Sequence, residues 1–568
     1  MSILNSFFRL FSLLLIAFCP ILTLAEVSWL YSGNQIIEQN VEEGARGWIF
    51  TVKSSGSGLL QCTAIAQVGT NVTGAATSQR LIDLNASIKN SSGVEYKINQ
   101  IATGLFKNNK TLDTIILPSA LVAIPESAFR ADSGGSSLKC IIITGNKIGS
   151  IGTFAFYKNT SITNIIGVIN GLTSIGDGAF HGCSNLKGPI IINSPSLSFQ
   201  GSKYGIFQSC SSLEGFIVNG DVVGALPSNL FHLCSKLKTV QLSSNPTNLI
   251  TSLGSAAFYG CSALTDFSPM VFSKASVIND AAFTSCSKLK GDFVFQAPTL
   301  TINTSKNTYG AFSGCASITS FKVEGTLINT LPKKLFHSCS SLKSIQVSGS
   351  DVSPITDIDT TAVYGCTSLT NFSPMVFNSL ISVGDQAFDS TPNLKGDFVI
   401  DHTNPVRFGK EALGYPGCSF DSVFIKAPVS AIGDFFLAKS PTLKNCHFGS
   451  TIASPNKYFL YDIKTLNVVT IPYRPASFGE NSFGNTGTRQ MVIRISKHDS
   501  NGWLNDDMHT PRKNFSQAIN NEWFNLSEGT KVARGWDKMR FPIGTSLGLS
   551  TVQWLVTIPE KGTLITTR

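Results

Sequence analysis

The chain holds 568 residues, 42% of them apolar and only 14% charged, with a formal net charge of +9 at pH 7. That length is too great for one compact globule and suits an elongated array with terminal domains. The charge is mild, no block of five like charges occurs, and basic residues do not interleave with aromatics, which argues against a nucleic-acid partner.

Arg9 precedes the apolar run Leu10 to Leu22, and Thr23-Leu24-Ala25 puts small residues before a cleavage point. The run falls short of the ~20 residues that span a bilayer, so 1–25 reads as a secretory signal peptide with Glu26 as the mature start. Bulky Phe18 before Cys19 argues against a lipoprotein signal. No later segment has 18 apolar residues in succession, so no membrane span is expected in the mature chain. The expected location is secreted, extracellular or at the cell surface.

Residues 26–100 lack the pattern that follows. Alternation such as Trp48-Ile49-Phe50-Thr51-Val52 and the turn glycines Gly56 and Gly58 predict an N-terminal β-rich cap. From about 101 to 450 the motif A-F-x-x-C-x-x-L recurs, as in Ala179-Phe180-x-x-Cys183-x-x-Leu186 and Ala282-Phe283-x-x-Cys286-x-x-Leu289. The Phe slot falls at Phe106, Phe129, Phe156, Phe180, Phe207, Phe231, Phe258, Phe283, Phe312, Phe336, Val363, Phe388, Leu413 and Leu437, in steps of 23 to 29 residues. Such a period marks a solenoid, whose units bury their apolar face only by stacking on one another. A longer period overlies it, because the Phe207 to Phe283 series returns 105 residues later at Phe312 to Phe388. Words return with it, among them Phe267-Ser268-Pro269-Met270-Val271-Phe272 as Phe372 to Phe377. A copied block lengthens a surface more readily than it creates a catalytic centre.

Within one unit, Leu230, Phe231, Cys234 and Leu237 fall at three- and four-residue steps, which predicts a short helical turn. Val240 and Leu242 then alternate with Gln241, which predicts a strand. Openings such as Ile175-Gly176-Asp177 read as a turn glycine followed by a helix cap. The fold class expected is therefore an α/β solenoid of stacked parallel strands and short helical turns with β-rich ends. Of the 13 cysteines, eight from Cys183 to Cys366 share one slot, which other copies fill with Asn109, Asn159 or Thr391. A buried ladder of free thiols fits that substitution pattern better than disulfides.

The I-G-x-x-A-F-x-x-C-x-x-L unit resembles the leucine-rich repeat of the BspA type, found on bacterial and some protist surface proteins. The resemblance covers about Ile101 to Phe448. It implies a secreted or surface-displayed recognition protein associated with adhesion, and it brings no catalytic residues. Val363, Leu413 with its displaced Cys418, and the insertion between Phe129 and Leu138 depart from the pattern.

Residues 451–568 hold four of the six tryptophans and no cysteine, and read as a C-terminal Trp-rich cap or small domain. His498, Asp499, Asp506, Asp507 and His509 form the one dense cluster of polar ligands, in a spacing that matches no metal motif. With no C-x-x-C, G-x-S-x-G, H-E-x-x-H or phosphate-binding loop, no cofactor, metal or catalytic residue is expected. The candidate ligand-binding positions point outward from the strands, one per coil: Ile116, Ile142, Ile217, Gln241, Lys322, Gln346, Phe424 and His447. The function expected is non-enzymatic binding of an extracellular protein or glycan, as in adhesion. The alternatives are a self-associating envelope component and, lower, a polysaccharide-acting enzyme.

Overall fold

The structure, a computed structural model, describes residues 28–471 apart from 39–46, 69–80, 133–134, 146, 202, 246–247, 304–308, 328–329 and 416–417. It also describes residue 482 and the strands at 492–495, 538–541 and 554–557. The predicted signal segment and the His498 to His509 cluster lie outside the described residues. The chain divides into two compact units, Met1–Leu172 and Thr173–Arg568.

In the first unit, six strands close a small barrel: Trp29–Ser32, Gln35–Glu38, Gly47–Gly56, Leu59–Val68, Ile88–Asn90 and Glu95–Ile101. Parallel pairing of Trp29 with Ile88 completes the closure. Inward Trp29, Phe50, Leu60 and Ile98 fill it, and Phe50 meets the first repeat ring, Phe106, edge-on at 6.2 Å. The barrel thus covers the apolar end that a solenoid must hide. Coils follow, with Phe106, Phe129 and Phe156 stacked at 5.1 and 5.2 Å and almost parallel. Their strands Leu81–Asp83, Thr114–Leu117, Cys140–Ile143 and Asn164–Ile166 form one parallel ladder.

The second unit repeats this architecture. Phe180, Phe207, Phe231, Phe258, Phe283, Phe312 and Phe336 form successive rungs 4.9–5.7 Å apart. Strand residues pack against them edge to face, as Phe216 does on Phe231 (5.2 Å) and Phe321 on Phe336 (5.0 Å). Edge-to-face contact suits the ring quadrupole and adds to the area buried. At Val363 and Leu413 the coil persists with an aliphatic rung, and both side chains are fully buried. Further on the ring moves one place earlier, so that Phe436 stacks on Phe459 at 5.5 Å beside Leu437 and Leu460. Leu460, Ile463 and Leu466 make one more coil beyond residue 450, and its strand Val468–Ile471 continues the ladder.

Many coils carry a second strand, where the sequence predicts one. A second parallel ladder runs through pairs such as Ser252 with Val277, Leu331 with Ile358 and Val383 with Phe408. The main ladder of this unit is cut twice, at Ser268-Pro269 and Ser373-Pro374, both cis. Asp266–Ser268 and Asn371–Ser373 each end one sheet, while Val271–Phe272 and Val376–Phe377 each begin the next. Proline has no N–H to donate, so the ladder cannot pass through it. The duplicated Phe-Ser-Pro-Met-Val-Phe word is thus a sheet break.

The expected short helical turns are not formed, and among the described residues there is no helix. Residues two before and two after the rung take left-handed backbone angles instead, as at Asn229 and Leu233, Ala281 and Ser285, and Lys334 and Ser338. Alternate peptides then face in different directions. His232 and Cys234 donate their N–H within the coil, to Asn229 and Phe231. Phe231 and Leu233 donate to Ala257 and Tyr259 of the next coil, at 2.6 and 2.7 Å. An α-helix would spend every N–H on its own chain, four residues back. Here half of them join coil to coil, which offsets the roughly 1–2 kcal/mol that each left-handed non-glycine residue costs.

The opening glycine, and the aspartate that follows it in some coils, likewise act between coils. A Cβ on Gly254 would lie 2.4 Å from the Pro227 backbone carbon, and one on Gly384 would lie 2.5 Å from the Thr360 nitrogen. Close approach demands these glycines. The aspartate caps the following coil and no helix: Asp177 accepts from the Tyr204 N–H at 3.0 Å, and Asp385 from the Lys410 N–H at 2.8 Å.

Candidate functional site: the outward face of the strand ladder

Period-two alternation, with the strands in register at the outward positions, brings those residues of neighbouring coils side by side. In the first unit Ile142 pairs with Ile116 on one flank and Ile166 on the other. In the second, Ile217 stands between Ile191 and Gln241, and Lys322 between Val294 and Gln346. Phe424 stands between Val399 and His447. The eight predicted positions therefore fall in registered rows. Ile166, Ile191, Val294 and Val399 belong to the same rows, and the same alternation would have found them.

The rows are not uniformly open. Ile116 is only 7% exposed and contributes little accessible surface. Ile142, Ile217, Gln241, Lys322, Gln346 and His447 are half-buried. The Gln241 amide donates to the Val218 carbonyl (3.2 Å) and the Gln346 amide to Ser348 (3.1 Å), while Lys322 pairs with Glu324 at 3.1 Å. Phe424 stands out at 36% exposed, with its ring stacked flat on His447 at 5.0 Å and 5°. A rigid aromatic pair of this kind presents apolar area with little rotamer entropy left to lose on binding.

The turn-bearing edge holds a second aromatic set, which includes the duplicated His232 and His337. His232 stacks on Tyr259 at 5.0 Å, and its duplicate His337 on Tyr364 at 4.9 Å. Burial lowers the pKa of both histidines, and neighbouring Lys334 lowers that of His337 further. Tyr415, Phe435 and Tyr458 form a contiguous group with contacts of 4.7 and 4.5 Å.

The cysteine slot belongs to the interior. All 12 described cysteines are free and buried. Each thiol from Cys210 to Cys366 donates to the rung carbonyl of the preceding coil, as Cys234 does to Phe207 (3.0 Å) and Cys339 to Phe312 (3.1 Å). Asn159 does the same through its amide to Phe129 (3.0 Å), and Thr391 and Ser440 donate to Phe388 and Leu437. The slot therefore selects a small donor, and the replacements Asn, Thr and Ser were the available signal for it. Burial pushes the thiol pKa up at Cys210, Cys234, Cys286, Cys339 and Cys366, to about 12 at Cys366, which disfavours the thiolate that a nucleophile needs.

Among the described residues no group of three or more His, Cys, Asp or Glu side chains is placed to hold a metal ion. No helix among them is long and apolar enough to cross a membrane.

The family profile described as the BspA type leucine rich repeat region matches residues 85–198, 149–290, 251–395 and 407–501, with six copies of the repeat. No curated protein sequence matches the chain. Among solved structures, a leucine-rich repeat protein from Bacteroides ovatus is 16% identical, with a TM-score of 0.39, covering 79% of this chain and 93% of its own. A leucine rich cell surface protein from Faecalibacterium prausnitzii is 15% identical (TM-score 0.26; 82% and 94% covered). The pneumococcal vaccine antigen PcpA is also 15% identical (TM-score 0.28; 76% and 94% covered).

Proposed function

The chain belongs to the BspA-type leucine-rich-repeat family, and from that premise we propose that it is an exported, non-enzymatic binding protein that holds an extracellular protein or glycan on the outward face of its strand ladder. The family and the fold are of the binding and adhesion type. The apolar run Leu10 to Leu22 before Thr23-Leu24-Ala25 supports export. The observation that carries the choice of face is the Phe424–His447 pair, an aromatic stack on the registered row whose Phe424 ring is exposed. Many weak contacts along the rows would add to one or two such anchors, the usual distribution of energy in an interface.

The test is a binding screen of the mature chain against arrays of extracellular-matrix proteins and glycans, repeated with Phe424→Ala/His447→Ala and with Gln241→Glu/Gln346→Glu. Loss of at least tenfold in affinity for the captured partner, with unfolding unchanged, is the expected result. Binding that survives both double substitutions rejects this face.

A further inference from the structure

At the rim where each main strand begins, the residue after the repeat leucine alternates in character from coil to coil. Lys187, Lys238, Lys290, Lys343, Lys395 and Lys444 occupy every second coil of the second unit, all exposed. Between them stand Glu214, Thr265, Thr319, Thr370 and Asp421. Backbone bonds hold the row in register: Lys238 donates to Glu214 and accepts from Thr265, and Lys343 donates to Thr319 and accepts from Thr370, at 2.9–3.0 Å. Lys238 and Lys444 are neutralised by Glu214 (3.0 Å) and Asp421 (3.8 Å). Lys187, Lys290, Lys343 and Lys395 make no ion pair among the described residues.

Two properties of this row choose a partner. Cations on adjacent strands would repel, so the alternation doubles their separation. With rungs 4.9–5.7 Å apart, the central lysines recur about every 10 Å, the advance of two pyranose rings at roughly 5 Å each in an extended chain, set here by the strand spacing. Duplex DNA, with one charge per ~1.7 Å, is far too dense a match. The acids on the same rim, Asp266, Asp292 and Asp397, lie one or two residues beyond the row; Asp292 is engaged by the Thr319 hydroxyl at 2.7 Å and also feels the Lys343 charge, without forming an ion pair with it.

We propose that the row centred on Lys290, Lys343 and Lys395 is a binding site for a linear anionic polysaccharide bearing one acid group per disaccharide, a surface separate from the outward aromatic and glutamine positions. Each lysine faces one carboxylate or sulfate, and the intervening Thr319 and Thr370, whose hydroxyls donate to Asp292 and to the Lys343 carbonyl, offer the neutral sugar between them only their oxygen lone pairs as acceptors.

The experiment titrates the full mature chain onto immobilised hyaluronan, carboxyl-reduced hyaluronan and duplex DNA at 50 and 300 mM NaCl. The expected result is binding to hyaluronan that weakens at high salt and is absent with the neutral polymer. Lys290→Gln/Lys343→Gln/Lys395→Gln should weaken it on the order of 100-fold, at roughly fivefold per cation removed from an anionic surface. Lys110→Gln/Lys203→Gln/Lys333→Gln, three exposed lysines elsewhere, should leave it within twofold. Phe424→Ala/His447→Ala should also leave it intact, so that loss of the outward face and loss of the lysine row are read separately. Equal weakening by both lysine triples, unchanged binding in the Lys290/Lys343/Lys395 variant, no binding at all, or DNA bound as tightly as hyaluronan would each overturn the assignment.

Discussion

Removing one rung from the middle of the second unit should open the coils around it and leave distant coils closed. Phe231 is fully buried between Phe207 (5.1 Å) and Phe258 (5.6 Å), with Phe216 edge-on at 5.2 Å. Phe231→Ala removes that transfer free energy and leaves a cavity that neighbouring rings, fixed by their own coils, cannot fill, at a cost of about 3–5 kcal/mol. Because each coil contacts only its neighbours, the cost is felt first as local opening. The thiol ladder supplies probes already in place. Cys234 lies in the same coil, and the Cys261 thiol donates to the Phe231 carbonyl at 3.2 Å. Alkylation of these thiols under native conditions, followed by mass spectrometry, reads the opening equilibrium. A loss of about 4 kcal/mol should speed labelling of Cys234 and Cys261 roughly a thousandfold while Cys446 changes little. Equal acceleration at Cys446, or none at Cys234, would refute stacking by nearest neighbours.

Three further outcomes follow from the same geometry. Cys234→Ser should be more stable than Cys234→Val by about 1 kcal/mol in urea unfolding, the reverse of a plain apolar core, since only serine can donate to the Phe207 carbonyl. Gly254→Ala should cost about 1–3 kcal/mol through overlap with the Pro227 backbone, measurable as a fall in the unfolding midpoint. His232 and His337 have folded pKa values below 6.5; the unfolded chain therefore binds more protons in that range, and stability should fall as pH drops below about 6.5. Replacing both histidines with Phe should flatten that dependence between pH 7.5 and 5, and an unchanged slope would remove them as its source.

The solenoid was legible because its period is carried by residues that cannot be exposed cheaply: rung phenylalanines every 23 to 29 positions and leucines six after them. The outward row was legible for a similar reason, since a one-residue slip would have turned Val240 to water and Gln241 inward. The turns were not. Three- and four-residue spacing of Leu230, Phe231, Cys234 and Leu237 fits a helix and equally fits a left-handed-flanked turn, and only hydrogen bonding to the next coil decides between them. The cysteine slot was read for size and polarity, whereas the acceptor it serves, a carbonyl about 30 residues earlier, appears only once coils stack. The Phe436 and Phe459 coils were obscured by a one-place shift of ring and leucine, which exchanges the two inward positions and keeps their combined volume.

The most direct test of the binding-face account is a hydrogen–deuterium exchange footprint of the mature chain with the protein or glycan captured in the screen. The account predicts new protection confined to the outward strands, chiefly Ser419–Ile425 and Asn445–Phe448 around Phe424 and His447. Protection on the turn edge around His232, Tyr259, His337 and Tyr364, with those strands unchanged, would contradict it.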